Sequence, residues 1–400
     1  MESQLSRRQL KKDRLYSTFV GLYILLNELN SVLQNVFRLT GQRLNNIKTF
    51  ISIIIFLLLL WCILHFNKKE LLLFVLWEVL AMSLYFYSWL LGASLDYLLD
   101  WAVTTLGICI PLGFLVYVIK EKNVLFKILY YFTWPTLIFL IIDLQGTTIK
   151  MYDMHFSYIL LFVILFHLNH LITNEQKWLI PFIVIELLML LMYGSRGAFV
   201  CITAFIIFKI FTNIENKKKK YGLTILFIVL TALGYYLFDN FGTILLAKLQ
   251  NIGFSSRTLR LVLAGQFATH DSGRAEVWST AIELIHEKPL TGWGISGSIE
   301  RLNHPYPHNY FLDFWLSFGY ILGSLFLIIS LIQFKRLFTT SKGTYKDLIY
   351  IYFSMSMVML MFSSTFFTNY NYFMLMGLLF SSKLQKNRIT SNEYDRISLS

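Results

Sequence analysis

Charge is what this chain has least of. Only 14% of its 400 residues are Asp, Glu, Lys or Arg, while 56% are hydrophobic, and the mean hydropathy is +0.58. That balance excludes an ordinary soluble domain and a disordered chain, both of which need far more polar surface. Cysteine is scarce as well. Cys62, Cys109 and Cys201 all fall inside apolar runs with no metal-type spacing. Neither a disulfide framework nor a cysteine-ligated metal site is expected from them. Acidic residues are also few, 23 against 35 Lys and Arg. The alternating pattern of a membrane barrel is missing too.

What is present is a succession of apolar runs, each long enough to cross roughly 30 Å of hydrocarbon as a helix. Backbone groups in lipid must be satisfied within their own segment, so helices are the expectation. Twelve spans are predicted: 16–37, 48–66, 70–91, 96–118, 125–142, 155–172, 177–193, 196–213, 221–239, 309–333, 347–366 and 368–382. The fold class expected is an all-α polytopic membrane protein, one integral membrane domain over 1–400. Asn27, Glu28, Asn30, Gln34 and Asn35 make the first run unusually polar, and its alternative is an interfacial or bundle-buried helix.

The basic residues orient the chain. With both termini on the cytoplasmic side, 24 of the 35 Lys and Arg fall in inside segments. Five fall in short outside loops and six in the long segment 240–307. This is the positive-inside pattern, from which long loops are exempt. The formal charge of +12 is therefore a topology signal and gives no reason to expect nucleic acid. The N-terminal MESQLSRRQLKKDR reads as a cytoplasmic tail. Lys217–Lys220 reads as a stop at the cytoplasmic face, touching anionic lipid. The expected location is a bacterial cytoplasmic membrane, with the long loop outside.

That loop, 240–308, is the one long polar connection in the chain, and loops of that length tend to be functional. From Arg274, apolar residues at Val277, Trp278, Ala281, Ile282 and Ile285 predict an amphipathic helix, with Asp271 or Ser272 as N-cap and Pro289 beyond its end. Arg257, Arg260, Leu261 and Ala264 predict a second short helix after Ser255–Ser256. Both are expected on the membrane surface or as a lid over the bundle. TGWGISGS (Thr291–Ser298) reads either as a turn whose glycines admit a ligand or as a tight surface turn. HPYPHN (His304–Asn309) leads into span 309–333, and its two prolines stiffen the approach. A second polar signal is Arg196, at the break between two spans and flanked by Gly194 and Gly197. It reads either as an arginine snorkelling to the headgroups or as a guanidinium aimed into a cavity, where it would bind phosphate in a bidentate fork.

SRGA (Ser195–Ala198), GRAEVW (Gly273–Trp278), PLTGWG (Pro289–Gly294), HN (His308–Asn309) and FGYILG (Phe318–Gly323) together resemble the O-antigen polymerase and ligase superfamily of the Wzy/WaaL type. The motifs lie in the order and approximate spacing of that family, across roughly residues 190–325. The resemblance implies a GT-C-like architecture and a metal-independent, inverting glycosyltransferase. It implies a glycan on undecaprenyl pyrophosphate as donor and needs no cofactor. Residue by residue it implies that Arg196 and Arg274 bind the pyrophosphate and that His308 is the base. His304 is held in reserve, and Asn309, Trp278, Gly292, Gly294 and Arg257 are possible supporting residues.

The chemistry is coherent on its own terms. Fixed guanidiniums stabilise the charge that develops on a pyrophosphate leaving group, and a neutral imidazole accepts the proton of a sugar hydroxyl. The outer segments carry no metal-ligating constellation, so a bound metal is not required. The expected function is a polymerase joining lipid-linked repeat units into capsular polysaccharide, exopolysaccharide or O-antigen, with other polysaccharide-assembly membrane proteins as candidate partners. The alternative within the family is ligase-type transfer to a terminal acceptor. The alternative from another class is a flippase or transporter of lipid-linked sugars, which would call for paired repeats and broken helices at the midplane; no internal symmetry is visible.

Overall fold

The computed structural model describes residues 2–35, 41–146, 154–193, 196–213, 217–251, 256–266, 273–339 and 343–381, and no strand occurs among them. In chain order the helices are α1 (Glu2–Asn35), α2 (Gly41–Leu64), α3 (Lys68–Leu90), α4 (Leu95–Thr104), α5 (Ile110–Val118), α6 (Lys122–Gly146), α7 (Met154–Asn174), α8 (Ile180–Tyr193) and α9 (Arg196–Phe208). They continue with α10 (Lys217–Asn251), α11 (Arg257–Leu263), α12 (Arg274–Glu287), α13 (Ile299–Leu302), α14 (Tyr310–Thr339) and α15 (Thr344–Phe353); a last helix covers 370–381. Six helices among the described residues are long and apolar enough to cross a membrane: Asn45–Leu64, Lys68–Leu90, Leu95–Val118, Lys122–Leu144, Met154–Asn174 and Tyr310–Lys335. They coincide with six of the twelve expected spans, and the polar first run is not among them.

Two expectations are modified. The helix expected to end at 239 runs on to Asn251, so the polar segment opens as helix. The span expected over 347–366 leaves helix after 360, and 361–369 is irregular. Its Ser363, Thr365 and Asn369 are buried, and irregular backbone at membrane depth is tolerated only where protein satisfies it. Asp313 does part of this, accepting from Thr365 Oγ1 at 2.7 Å and from the Phe366 amide at 3.4 Å. The two short helices predicted in the polar segment are present as α11 and α12. Ser256 caps α11, its Oγ accepting from the Leu259 amide at 3.1 Å. Asp271 and Ser272, the expected caps of α12, lie outside the described residues, as do Gly194, Ser195 and Ser255.

The chain divides into two compact units: Met1–Ser17, Leu59–Leu125 and Glu276–Ser400 form the first, Thr18–Leu58 and Phe126–Ala275 the second. In the second unit α7 is the central helix, and nearly every residue from Ile159 to His170 is buried. Two carriers of charge inside it have found each other. His167 Nδ1 lies 2.6 Å from Glu186 Oε1, both fully buried, and His167 Nε2 lies 3.1 Å from Thr133 Oγ1. One imidazole thereby ties α6, α7 and α8 together. Likewise Lys209 Nζ donates to Asn169 Oδ1 at 2.7 Å. Glu186 is thereby engaged by His167.

The first unit contains a break that the hydropathy profile hides. α14 is two helices joined at Gly319, whose φ of 69° and ψ of −179° are non-helical. Breaking a helix strands carbonyls and amides that would have bonded within it. Here the segment Pro289–Gly294 lies antiparallel along the break. The Trp293 amide donates to Leu316 O at 2.9 Å, the Gly294 amide to Ser317 O at 2.9 Å, and the Tyr320 amide to Pro289 O at 2.7 Å. The fit requires glycine from both sides. A Cβ on Gly292 would sit 2.5 Å from the Ser317 carbonyl carbon, and one on Gly319 would sit 2.5 Å from that of Leu290. Both residues also have positive φ. Trp315 Nε1 bridges the break to Ser324 Oγ at 3.0 Å. α3 grips the same segment: Tyr87 donates its hydroxyl to Thr291 O at 3.0 Å, and Ser88 Oγ accepts from the Ile295 amide at 2.8 Å.

An apolar core seals this assembly. Ala281, Leu284 and Ile285 of α12 pack with Trp293, Leu302, Leu312 and Leu316, and Val277 and Trp315 lie against them. At about 1.5–3 kcal/mol for each large aliphatic side chain fully buried, this cluster makes 276–316 a folded element rather than a loose loop. α12 is rotated from its expected setting, for Leu284 is buried while Trp278 and Ile282 are 37% and 43% exposed. Trp293 is held at its rim by a hydrogen bond from Nε1 to Leu284 O of 2.8 Å, with Lys288 Nζ 3.9 Å and Arg301 Cζ 4.1 Å from its ring centroid.

Two stability predictions follow from these contacts. Gly292→Ala or Gly319→Ala should each lose at least about 2 kcal/mol, through backbone clash and a disfavoured φ, whereas Gly222→Ala, which meets nothing within 4 Å, should be neutral. Thermal unfolding of the detergent-solubilised protein, followed by size-exclusion fluorescence, would show equal midpoints for all three if the interlock were absent in solution. In the second unit, Glu186→Leu leaves an imidazole without its acceptor and should cost about 1–3 kcal/mol. Glu186→Gln, which keeps an acceptor oxygen, should cost less than half of that in the same assay.

Candidate functional site

The residues singled out from sequence fall in both units. In the second unit, Arg196 is the first residue of α9, Arg257 of α11 and Arg274 of α12, and all three are partly buried. The Ser256 cap donates its Oγ hydrogen to Leu191 O at 2.6 Å. That bond brings the start of α11 to the end of α8 from which the chain proceeds to Arg196, so Arg257 and Arg196 share one end of that helix. A helix N-terminus presents unbonded amides and the positive end of the helix dipole, which favours anions over cations. Arg196 stands at the first position of α9, with no acid in that helix's first turn.

In the first unit, His304 and His308 flank a short rigid approach to α14. Asn309 caps that helix, its Oδ1 accepting from the Phe311 amide at 3.0 Å and the Leu312 amide at 3.3 Å. Asn309, expected as a supporting residue of the site, thus serves as a helix cap. His304, Tyr306 and His308 form a cluster of rings, with centroids 4.5 Å apart between the histidines, 5.4 Å from His304 to Tyr306 and 4.6 Å from Tyr306 to His308. Both histidines are half-buried. The backbone here is strained. Of the five non-glycine residues with positive φ among the described residues, Ser296, Asn303 and His308 lie within thirteen positions of one another. Each costs of order 1–3 kcal/mol, and such residues concentrate at functional sites. With Pro305 and Pro307 between the last two, the histidines have little backbone freedom.

Gly292 and Gly294 occupy the positions where a ligand-binding turn was weighed against a structural one. Their close approaches are to the protein's own chain, Gly292 to Ser317–Gly319 and Gly294 to Ser88. Trp293 and Tyr310 are engaged internally. Tyr310 is 2% exposed, and its hydroxyl lies 3.0 Å from that of Tyr372. Trp278 and Tyr306 keep exposed ring surface.

Sequence reasoning missed Tyr87 and Ser88, which hold the glycine turn, and Asp313, which anchors the irregular segment 361–369. Asp313 carried a usable signal, an acid inside an apolar span. Tyr87 and Ser88 carried none, since tyrosine and serine are common near span ends.

Residues 181–327, somewhat over a third of the chain, match the family model described as O-antigen ligase. The match holds Arg196, Arg257, Arg274, His304, His308 and both partners of the glycine interlock. No curated protein and no solved structure matches the chain. Residues 181–327 of this chain, with its several membrane-length apolar helices, are thus similar to the O-antigen ligase family, in agreement with the polymerase and ligase superfamily that its motifs resemble.

Proposed function

We propose that the protein is a polysaccharide polymerase of the bacterial cytoplasmic membrane, with both termini in the cytoplasm and its site on the extracytoplasmic face. The donor is a growing glycan on undecaprenyl pyrophosphate and the acceptor a hydroxyl of the next lipid-linked repeat unit. The acceptor oxygen attacks the anomeric carbon from the face opposite the phosphate. The carbon–oxygen bond to the pyrophosphate breaks, its electron pair stays on the leaving oxygen, and configuration inverts. The hydroxyl proton passes to His308.

The observation that carries this reading is the strained, proline-braced placement of the His304–His308 pair inside the matched family segment. A base is useful only if held still, and this loop spends backbone strain on holding it. Arg196 and Arg274 are assigned to the pyrophosphate. They are permanently charged, fork-shaped donors suited to two phosphate oxygens, each at the start of a helix. Trp278 and Tyr306 offer apolar ring faces to sugar.

The second reading is ligase-type transfer of a finished glycan to a terminal acceptor, favoured by the description of the matched family. The two share donor, leaving group and base, and differ in the acceptor alone. Reconstitution with a lipid-linked repeat unit as both donor and acceptor separates them, since a polymerase yields a ladder of lengths. Arg196→Ala, Arg274→Ala and His308→Ala are each expected to slow product formation by about 10²-fold or more. Wild-type rates in all three would reject the site assignment. Lipid movement across the bilayer without glycosidic bond formation would favour a transporter.

A further inference from the structure

The two histidines of HPYPHN meet edge to edge, Nε2 to Nε2, at 3.2 Å. Two lone pairs or two hydrogens facing each other at that distance would repel, so one nitrogen donates and the other accepts. The far side of His304 decides which. Its Nδ1 lies 2.8 Å from Tyr306 O. A carbonyl oxygen can only accept, so that nitrogen carries a hydrogen. The Tyr306 amide also points at Nδ1, from 3.5 Å, which is the outer limit of a hydrogen bond; the shorter contact prevails. With both rings neutral, His304 Nε2 is bare and accepts, and His308 must donate from Nε2. The lone pair of His308 therefore sits on Nδ1.

We propose that His304 is a positioning residue, which holds His308 in the Nε2–H tautomer and so leaves Nδ1, enclosed by protein in this structure, as the nitrogen that takes the proton of the acceptor hydroxyl. This rests on the assignment of His308 as the base. In the transfer step the hydroxyl proton goes to His308 Nδ1 as the oxygen bonds to carbon. The resulting imidazolium keeps its Nε2–H on His304 and becomes a stronger donor to it. The chain His308 Nε2–H to His304 Nε2, then His304 Nδ1–H to Tyr306 O, spreads the new charge toward a fixed carbonyl dipole. No carboxylate is needed for this. It is the part that a buried acid plays when it fixes the tautomer of a histidine base. The backbone supports the arrangement, since left-handed residues at Asn303 and His308 bracket Pro305 and Pro307, and the Tyr306 ring packs against both imidazoles.

The test uses the full-length protein in liposomes with a lipid-linked repeat unit. His304→Ala should lower kcat by roughly 10²-fold and leave KM for the donor within about threefold. His304→Gln places an amide oxygen near the lost lone pair and should recover kcat to within about tenfold of wild type. His308→Gln should recover nothing relative to His308→Ala, and the double variant His304→Ala/His308→Ala should be no slower than His308→Ala, because the residues act as one unit. An unfolding midpoint within a few degrees of wild type is expected for His304→Gln. The inference is overturned by a wild-type kcat in His304→Ala, by an effect confined to KM, by no rescue in a folded His304→Gln, by multiplicative losses in the double variant, or by rescue of His308→Gln instead. A wild-type rate in His308→Ala would remove the base assignment itself. Loss in His308→Ala alone would leave that assignment standing and sink only the role of His304.

Discussion

Two lengths of backbone that cannot satisfy themselves meet at residues 316–320, and the first unit depends on that meeting. α14 gives up its helical bonding at Gly319. The segment 289–294 has no helix of its own. Together they make three backbone hydrogen bonds, and each removes a buried polar group that would otherwise cost about 1–3 kcal/mol. Around those bonds are arranged the gripping end of α3, the apolar face of α12, the Trp293 rim with its two cations, and the short run that delivers His304 and His308. Remove the interlock and the break in α14 is left with unsatisfied groups in an apolar setting, which the fold cannot tolerate.

This ordering explains why so much apolar chemistry surrounds so few reactive groups. A proton acceptor and a pair of guanidiniums are chemically simple. Holding such groups still under the proposed function, in a protein with 14% charged residues, takes a scaffold with little internal freedom. The second unit achieves this through buried pairs such as His167–Glu186 and Lys209–Asn169. The first achieves it through main-chain pairing, ring clusters and residues forced into the left-handed region.

What the sequence made legible follows the range of each interaction. Helix caps and amphipathic faces are local, so α11 with its Ser256 cap and α12 from Arg274 to Glu287 were readable from a few residues each. Apolar length is local too, and six spans stood out for that reason. The motifs PLTGWG and FGYILG were visible as patterns, but their pairing was not. Glycine within an apolar run is ordinary in membrane helices, and nothing near Gly319 announces partners about thirty residues upstream. Ser88 and Tyr87 lie about two hundred residues from the turn they hold. The setting of α12 was misjudged because Trp278 and Ile282 are as apolar as the buried Leu284, and hydrophobicity does not distinguish a face against protein from one against lipid or sugar. His304 was legible only as a spare for His308, since the geometry that makes them partners depends on left-handed turns at Asn303 and His308 that no local pattern announces.

The interlock also sets the unit of exchange for anyone recombining this protein with its relatives. Because Gly292 is shaped by 317–319 and Gly319 by Leu290, neither segment has a meaningful identity apart from the other. A crossover between 294 and 316 would join half of one joint to half of another. The segment 289–323 is better moved as a block, together with the end of α3 that carries Tyr87 and Ser88, so that both halves of the joint travel together.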